Sequence, residues 1–244
     1  MIAIYKRELK AYFKTPIGYI FLSAFIFFAS LLFVLINLQG NSTDLSPLFS
    51  NVSLIFVFVI PVLTMRLFSE ERKSKTDQLL LTAPVRITDI VFGKYLAAAT
   101  VLLVGVLVTM LFVPIMELYG TPLIPQTVIG YLGLFLMGLF FVAIGMFMSS
   151  ITESQVIAAV STLGIIFFLW VFGGLNIRFV EVLTGPVSFL GTALDWLMNF
   201  ISIQNRMYDF TLGTLNVVPV FYFVSLAGLF VFLTIRVIER RRWK

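Results

Sequence analysis

The chain has 244 residues, of which 60% are hydrophobic and 12% are charged, with 27 phenylalanines and a mean hydropathy of +1.05. Soluble domains are about 45–50% apolar, so this composition excludes an ordinary water-soluble domain and indicates a membrane protein. The chain has no Cys and no His, which excludes disulfides, thiolate or imidazole metal sites, and catalysis by either residue.

The first 14 residues are predicted to form an amphipathic helix. One face collects the apolar side chains, namely Tyr5, Leu9, Tyr12 and Phe13. The opposite face collects the basic ones, namely Lys6, Arg7, Lys10 and Lys14. A basic amphipathic helix is suited to lying in the headgroup layer of a membrane, so we expect an interface helix over residues 1–16. The alternative is an ordinary positively charged flank of the first span.

Six apolar runs are long enough to be membrane-spanning helices, since about 20 residues cross a bilayer. They cover residues 17–38, 52–67, 94–116, 128–148, 156–175 and 217–237. The runs do not alternate as barrel strands would, and a lipid-exposed backbone must be fully hydrogen-bonded, so the predicted fold is all-α. Recurring small residues in the fourth run predict close packing against other helices.

The distribution of Lys and Arg predicts the orientation of the chain. Of the 17 basic residues, 15 fall on the side that holds both termini and the loop between the second and third spans. The opposite side holds only Arg178 and Arg206. Basic loops stay in the cytoplasm, so we expect a multi-pass protein of the cell (inner) membrane with both termini cytoplasmic.

A charged loop over residues 70–93 separates the second and third spans. Ser74 and Asp77 fit the S-x-x-D pattern that caps the start of a helix. Pro84 would end that helix, which would be about 12 Å long. Thr88 and Asp89 are predicted to begin the helix that returns to the membrane. The apolar residues of the short helix are Leu79, Leu80 and Leu81. Such a helix fits a groove on a cytoplasmic partner; the alternative is a solvated loop beside the membrane.

The segment 176–216 lies outside the membrane in this topology and is not a simple polar loop. Its apolar stretch follows Gly185-Pro186 and carries Asp195. A seventh span would place the basic C-terminus on the wrong side, so we expect a pair of short re-entrant or interfacial helices here.

The residues give no support for an enzyme. No G-x-x-x-x-G-K-[ST] loop is present to bind nucleotide phosphates. The acidic residues lie in loops or at span ends, whereas a carboxylate at mid-membrane is typical of proton- or ion-coupled carriers. We therefore expect no catalytic, metal or cofactor site in this chain.

The stretch MRLFSEERKSKTDQLLLTAPVRITDIVFGKYL resembles the signature between spans two and three of ABC-2 type permeases, the membrane subunits of type V ABC transporters. The matching residues are Glu70, Glu71, Thr76, Leu79, Leu80, Pro84 and Val85. Lys75 departs from the pattern because relatives usually have glycine there, and other residues tolerate a positive φ less well.

The C-terminal stretch is similar to the last span of the gliding-motility-type branch of that family. The residues that match are Asp209, Phe210, Gly213, Leu215 and those from Glu239 to Trp243. Asn216 stands where this branch usually has Asp. The resemblance covers nearly the whole chain, 1–244, as one transmembrane domain.

The resemblance implies a permease that couples ATP hydrolysis by a separate cytoplasmic ABC ATPase to substrate translocation, by analogy export. Two ATPase copies would hold ATP and Mg²⁺, and a second permease copy or a paralogue would complete the membrane part. The ATPase contact would involve Glu71, Lys75, Asp77, Leu79, Leu80, Leu81, Pro84 and Arg86. The interface helix would use Tyr5, Leu9 and Phe13. The outer gate in 176–216 would use Asp195, Asp209 and Gly213.

Two other functions remain open at the level of sequence. A secondary carrier or channel would need neither ATP nor a partner, and the missing mid-membrane charges disfavour it. A membrane scaffold or assembly factor would recruit an extracytoplasmic accessory protein through residues 176–216. The sequence does not specify the substrate, because an apolar transport path and a lipid-exposed surface have the same composition.

Overall fold

The computed structural model describes residues 1–76, 85–174 and 202–242, with side chains omitted at 172–174 and 242. Within these ranges every regular element is a helix, as expected for an all-α membrane protein. We number the helices α1 to α10 in chain order. They are α1 Ile2–Lys14, α2 Pro16–Phe33, α3 Ser46–Thr64, α4 Ser69–Lys73, α5 Ile87–Thr109, α6 Phe112–Glu117, α7 Ile124–Ile151, α8 Gln155–Gly174, α9 Ile203–Thr211 and α10 Val217–Arg242.

Five helical stretches of the described residues are long and apolar enough to cross a membrane. They are Pro16–Leu38, Ser46–Lys73, Ile87–Glu117, Ile124–Ile151 and Val217–Arg241. The fifth expected span, 156–175, corresponds to α8, whose apolar stretch Gln155–Val171 is shorter than 18 residues. The structure therefore supports a multi-pass protein with five clear spans and one shorter apolar helix.

Three spans begin four or more residues earlier in the structure than the apolar pattern predicts, and the fourth of the six, expected from residue 128, begins at Ile124. The second span was expected from residue 52, but α3 begins at Ser46, whose N–H donates to Asp44 Oδ1 at 2.9 Å. Asn51 then donates to the carbonyl of Pro47 at 2.7 Å, so its polar side chain is satisfied inside the helix. Because these polar residues have local hydrogen-bond partners, the helix includes them and is longer than its apolar part.

The third span was expected from residue 94, with a cap at Thr88. The structure corrects both predictions, because α5 begins at Ile87 with Arg86 in the N-cap position. This span is also interrupted between Thr109 and Phe112, where the chain turns before α6. Pro114 lacks the N–H that the carbonyl of Met110 would need to continue the helix, which accounts for the turn.

Helix α7 lies at the centre of the bundle and packs against α3, α5, α8, α9 and α10. Four of its glycines make close contact with neighbours, because a Cβ at any of them would meet another side chain. The nearest side chains are Phe49 at Gly130, Phe210 at Gly133, Leu102 at Gly138 and Thr64 at Gly145. The packing role predicted for the small residues of the fourth run is confirmed at these positions.

Helix α1 packs along α5 and α2, so the first 14 residues include a helix that is attached to the bundle. At the opposite end of the chain, α9 lies against α7, α8 and α3. The remainder of the predicted 176–216 pair of helices falls outside the described residues.

Candidate functional site

The charged loop begins on a fixed support at the end of α3. Ser149 of α7 is completely buried, and its hydroxyl accepts from the N–H groups of Phe68 at 3.0 Å and Ser69 at 3.2 Å. The same hydroxyl donates to the carbonyl of Met65 at 3.0 Å. One serine of α7 therefore satisfies the backbone of the turn that joins α3 to α4.

Helix α4 is also attached to the connection between α7 and α8. Arg72 forms an ion pair with Glu153 at 2.9 Å and donates to the carbonyl of Ile151. A guanidinium can make both contacts at once because its N–H groups form a rigid fork. The first residues of the 70–93 loop are thus held by α7 and by the residues that follow it.

Four charged side chains form a closed ring at the base of the loop. Lys94 Nζ lies 3.2 Å from Glu8 Oε1 and 2.9 Å from Glu71 Oε1. Arg7 Nη2 lies 2.8 Å from the same Glu8 oxygen and 3.1 Å from the same Glu71 oxygen. Positive and negative groups alternate around this ion-pair ring, which has no net formal charge. It joins α1, α4 and α5.

The Lys94 ammonium is the most enclosed member of the ion-pair ring. Its side chain is 1% exposed, against 14% for Glu8 and 19% for Glu71. The ammonium also lies 5.2 Å from the centre of the Phe68 ring, within the range of a cation–π contact. A buried ammonium needs such partners, because an uncompensated charge away from water is very costly.

The cationic partners set the protonation state of Glu8. Burial alone would raise the pKa of this carboxyl, but Lys94 and then Arg7 more than reverse that effect, so the pKa is lowered. The carboxylate form of Glu8 is therefore favoured.

Aromatic hydroxyls fix α1 beside the ion-pair ring. Tyr12 is buried and donates to the carbonyl of Leu63 at 2.9 Å, near the end of α3. Tyr5 shares a hydrogen bond with Thr100 of α5, with the two oxygens 3.1 Å apart. A cavity of about 330 Å³ lies between these elements and is lined by Arg66, Glu70, Thr76 and members of the ring.

The turn after α4 has left-handed backbone at Lys75, where φ is +55°. The Thr76 N–H donates to the carbonyl of Glu71 at 2.9 Å, and the Lys75 N–H donates to that of Arg72 at 3.1 Å. This pair of bonds is a Schellman motif, in which glycine is preferred at the left-handed position. Lys75 therefore adopts the left-handed conformation that glycine favours.

The remaining residues predicted to contact the ATPase fall into two groups. Arg86 is exposed at the start of α5, and its carbonyl accepts from the Asp89 N–H at 3.0 Å. Ser74 is not one of these residues; it was predicted to cap the start of the short helix, but it is the C-cap of α4, with its hydroxyl donating to the carbonyl of Glu70 at 2.9 Å. Outside the described residues lie Asp77, Leu79, Leu80, Leu81 and Pro84.

The three residues predicted for the interface helix have different surroundings. Tyr5 and Leu9 are partly buried and pack against the protein core rather than facing away from it. Phe13 is 37% exposed, and its ring meets that of Tyr19 edge-on, with the ring centres 6.0 Å apart. Of the predicted apolar face, Phe13 is thus the member most available to lipid.

At the other end of the bundle, α9 ends in a second Schellman motif. Gly213 has a φ of +75°, the Thr214 N–H donates to the carbonyl of Asp209 at 3.2 Å, and the Gly213 N–H donates to that of Phe210 at 3.1 Å. Gln126 of α7 lies directly against this turn. Asp195, the third predicted gate residue, lies outside the described residues.

Uncharged hydrogen bonds hold this outer turn to α3 and α7. Gln126 Nε2 donates to Ser46 Oγ at 2.7 Å and to the carbonyl of Thr211 at 2.8 Å. Ser46 Oγ lies 2.8 Å from the Thr211 carbonyl and 2.7 Å from Asp44 Oδ1, and its single proton can be donated to either oxygen. This amide cluster, made by Gln126, Ser46 and Thr211, joins three helices without an ion pair.

Sequence reasoning did not identify the ion-pair ring. Arg7 was assigned to the basic face of α1, and Lys94 was counted as a flanking charge at the start of the third span. The available signal was Lys94 itself, a lysine about two turns inside α5 with apolar residues on either side. No metal site accompanies the ring: the described part of the chain has no cluster of three or more Asp or Glu that could hold an ion.

The sequence matches the family described as "ABC-2 family transporter protein" over residues 2–241. No curated protein matches the chain. The matched range includes α1, the whole 70–93 loop and nearly all of α10. Because the match covers almost the entire sequence, this chain belongs to the ABC-2 transporter family.

Proposed function

We propose that this chain is the membrane-spanning permease subunit of an ABC exporter, driven by a separate cytoplasmic ATPase. Members of the family are membrane components without a nucleotide-binding domain of their own, and they work with a cytoplasmic ABC ATPase. In the proposed assembly, two ATPase copies hold ATP and Mg²⁺, and a second permease copy or a paralogue completes the membrane part. The tail from Glu239 to Trp243 favours the gliding-motility-type branch.

The ion-pair ring is the observation that carries the proposal. Glu71 lies at the start of the 70–93 loop and Lys94 immediately after it, yet their charged groups are 2.9 Å apart. The two ends of the loop are therefore joined, and Arg7 and Glu8 attach α1 to the same point. Movement imposed on the loop would reach α1 and α5 together rather than being absorbed by a flexible base.

The second attachment directs the same movement to the centre of the bundle. Ser149 and Arg72 hold the first turn of the loop to the end of α7. Because α7 packs against five other helices, it is placed to convey a rigid-body displacement to both sides of the transport path. Coupling in ABC transporters requires a connection of this kind between the loop and the spans.

The proposed orientation places both termini, the 70–93 loop and the ion-pair ring in the cytoplasm of a bacterial-type inner membrane. The segment 176–216, with Asp195, Asp209 and Gly213, then forms the outer gate. An extracytoplasmic accessory protein would bind on that side. The uneven distribution of Lys and Arg supports this orientation.

The ATPase contact can be tested with a charge at Leu80. We expect Leu80→Asp to reduce the ABC ATPase that co-purifies with the tagged chain by about tenfold or more, because it would place an unpaired carboxylate in an apolar groove. Leu118→Asp is a matched control, since Leu118 is 83% exposed and lies at the other end of the bundle. Equal recovery of the ATPase with both variants would contradict the groove contact.

Transport itself separates the proposal from the two alternatives. Vesicles containing this chain and its ATPase should move substrate only when ATP is supplied. Flux through vesicles with the chain alone would indicate a carrier or channel. ATPase binding and ATP hydrolysis without any ATP-driven flux would indicate a scaffold.

A further inference from the structure

A long apolar groove runs along α10 between α5 and α7. Its floor is formed by Phe223, Ala227, Val231 and Ile235, which recur every four residues on one face of α10 and are all buried. Its rim includes Phe92 and Phe232, which are exposed. The groove has a volume of about 410 Å³.

The dimensions of the groove fit a single lipid tail. Phe223 and Ile235 are separated by 12 residues of α-helix, or about 18 Å. Half of a bilayer's hydrocarbon core is about 15 Å thick, so the groove is as long as one leaflet. At Gly228 an added Cβ would meet nothing within 4 Å, which shows that the middle of the groove is open space.

The groove is apolar even where a polar group approaches it. Tyr95 lines it, but its hydroxyl donates to the carbonyl of Leu139 at 3.1 Å. Because its only proton is already donated, this phenol has no hydrogen-bond donor to offer an occupant. The chemistry of the lining therefore selects a hydrocarbon.

One end of the groove carries a cation. Arg236 directly follows the last floor residue, and its guanidinium lies 4.9 Å from the centre of the Phe232 ring on the rim. One Arg236 nitrogen pairs with Glu239 at 3.1 Å, but the side chain remains 61% exposed, so other N–H groups can reach an anion. Arg240, one turn further along, is also exposed.

We propose that this groove binds a membrane phospholipid, with one acyl chain along the α10 floor and its phosphate at Arg236. The guanidinium lies at one end of the apolar groove, as the phosphate of a phospholipid lies at one end of its acyl chains. Arginine suits the phosphate because its N–H groups can contact two oxygens at once. The lipid would fill the space between α5, α7 and α10 on a face of the bundle that these helices leave open.

The test uses the full chain in phosphatidylcholine liposomes with two photoreactive probes. One is a phosphatidylcholine with a diazirine midway along one acyl chain, and the other is a diacylglycerol with the same labelled chain and no phosphate. After illumination, peptide mapping compares labelling of the α10 groove with labelling of the exposed α2 face around Phe27 and Leu31. The ATPase is not needed, so the result is independent of the proposed transport function.

Filling the groove should displace the acyl chain. We expect Gly228→Phe to reduce groove labelling several-fold, whereas Leu229→Phe, at a neighbouring exposed position outside the groove, should leave it unchanged. Gly228→Leu serves as a smaller filling variant if the phenylalanine variant does not fold. Groove labelling no stronger than α2 labelling, or insensitive to both Gly228 variants, would overturn the proposal.

Removing the cation should affect only the probe that carries a phosphate. We expect the phosphatidylcholine probe to label the groove about fivefold more than the diacylglycerol probe, and Arg236→Gln to abolish that difference. Lys10→Gln removes an exposed charge on α1 and should have no effect. Equal labelling by the two probes in the unaltered chain would overturn the assignment of the phosphate to Arg236.

Discussion

The turns at Lys75 and Gly213 have the same pair of Schellman hydrogen bonds and the same left-handed backbone, but their surroundings differ. Lys75 is exposed, so its side chain extends from the turn without a collision. A Cβ at Gly213 would lie 2.9 Å from the Cα of Gln126, which is backbone and cannot rotate away. A left-handed position thus accepts a side chain where the turn faces open space and requires glycine where it meets another helix.

The two ends of the bundle also differ in the chemistry that holds them. The ion-pair ring joins α1, α4 and α5 through charged groups, of which Lys94 is buried, Glu8 and Glu71 are largely enclosed and Arg7 is half exposed. The amide cluster joins α3, α7 and α9 through uncharged groups. The ring is most sensitive to the loss of Lys94, because the Glu8 and Glu71 carboxylates would stay largely enclosed. An uncharged attachment loses about 1 kcal/mol for each missing hydrogen bond.

The largest expected effect comes from breaking the ion-pair ring. Lys94→Met preserves much of the side-chain volume but leaves the Glu8 and Glu71 carboxylates with only Arg7 between them. We expect the free energy of unfolding, measured in mixed detergent micelles, to fall by about 3 kcal/mol. Lys10→Met, on an exposed lysine of α1, should change it by less than about 0.5 kcal/mol.

A second substitution checks that charge is the cause. Adding Glu71→Gln to Lys94→Met removes one unpaired carboxylate, so the double variant should be more stable than Lys94→Met alone. If the two losses simply add, the side chains do not act as one electrostatic unit.

The next largest effect is expected at Gly213. Gly213→Ala requires both a left-handed alanine and a shift of the α7 backbone, and we expect a loss of about 2 kcal/mol in the free energy of unfolding. Gly164→Ala is the matched control, because Gly164 lies within α8 and a Cβ there would meet nothing within 4 Å. That control should be neutral or slightly stabilising, since alanine is the better helix former. Equal effects would contradict the close contact with Gln126.

Acidification should have a smaller effect, and it should weaken the ion-pair ring but not the amide cluster. The pKa of Glu8 is lowered in the folded protein, so its contribution to stability is complete above its ordinary value of 4.5 and is lost as pH falls through the lowered folded pKa. Unfolding measured from neutral pH to about pH 3 should therefore show a steeper acid loss in the unaltered chain than in Glu8→Gln. Gln126→Met should lower stability by a similar amount at every pH, because its hydrogen bonds do not titrate.

The smallest effect is expected from restoring glycine at the exposed turn. Lys75→Gly relieves the left-handed strain but increases the freedom of the unfolded chain, so we expect a net gain of about 0.5–1 kcal/mol. The gain should appear in the free energy of unfolding, measured in mixed detergent micelles. Lys73→Gly, within α4, should instead be destabilising, and a loss of stability at both positions would contradict the left-handed backbone at Lys75.

Much of the fold was predictable because apolar length and charge balance act locally. The predicted starts of the first, fifth and sixth spans lie within one residue of α2, α8 and α10. The errors arose where polar residues continue a helix, as at Ser46, or where proline interrupts one, as at Pro114. Apolar runs indicate where lipid contact is possible, whereas helix ends depend on individual hydrogen bonds.

The candidate site was only partly predictable. The loop motif identified Glu71, but its partners Arg7, Glu8 and Lys94 are distant in sequence, and helical periodicity describes neighbours along one helix only. The wheel of α1 assigned Arg7 to a polar face without showing that the face meets α4 and α5. Pairings of this kind depend on how helices are arranged in space, which a single sequence does not specify.

The central position of α7 has a consequence for the order in which the protein is made. Helices α3 and α5 precede α7 in the chain, so during synthesis they enter the membrane before the helix against which they pack. Until α7 is inserted, the faces that will contact it are exposed to lipid or packed against one another. Because Gly138 and Gly145 have no side chains, α7 can then pack against Leu102 and Thr64 without displacing side chains that are already packed. A bulky residue at either position would therefore prevent α7 from packing with the other helices, and the chain would fail to assemble before transport could be measured.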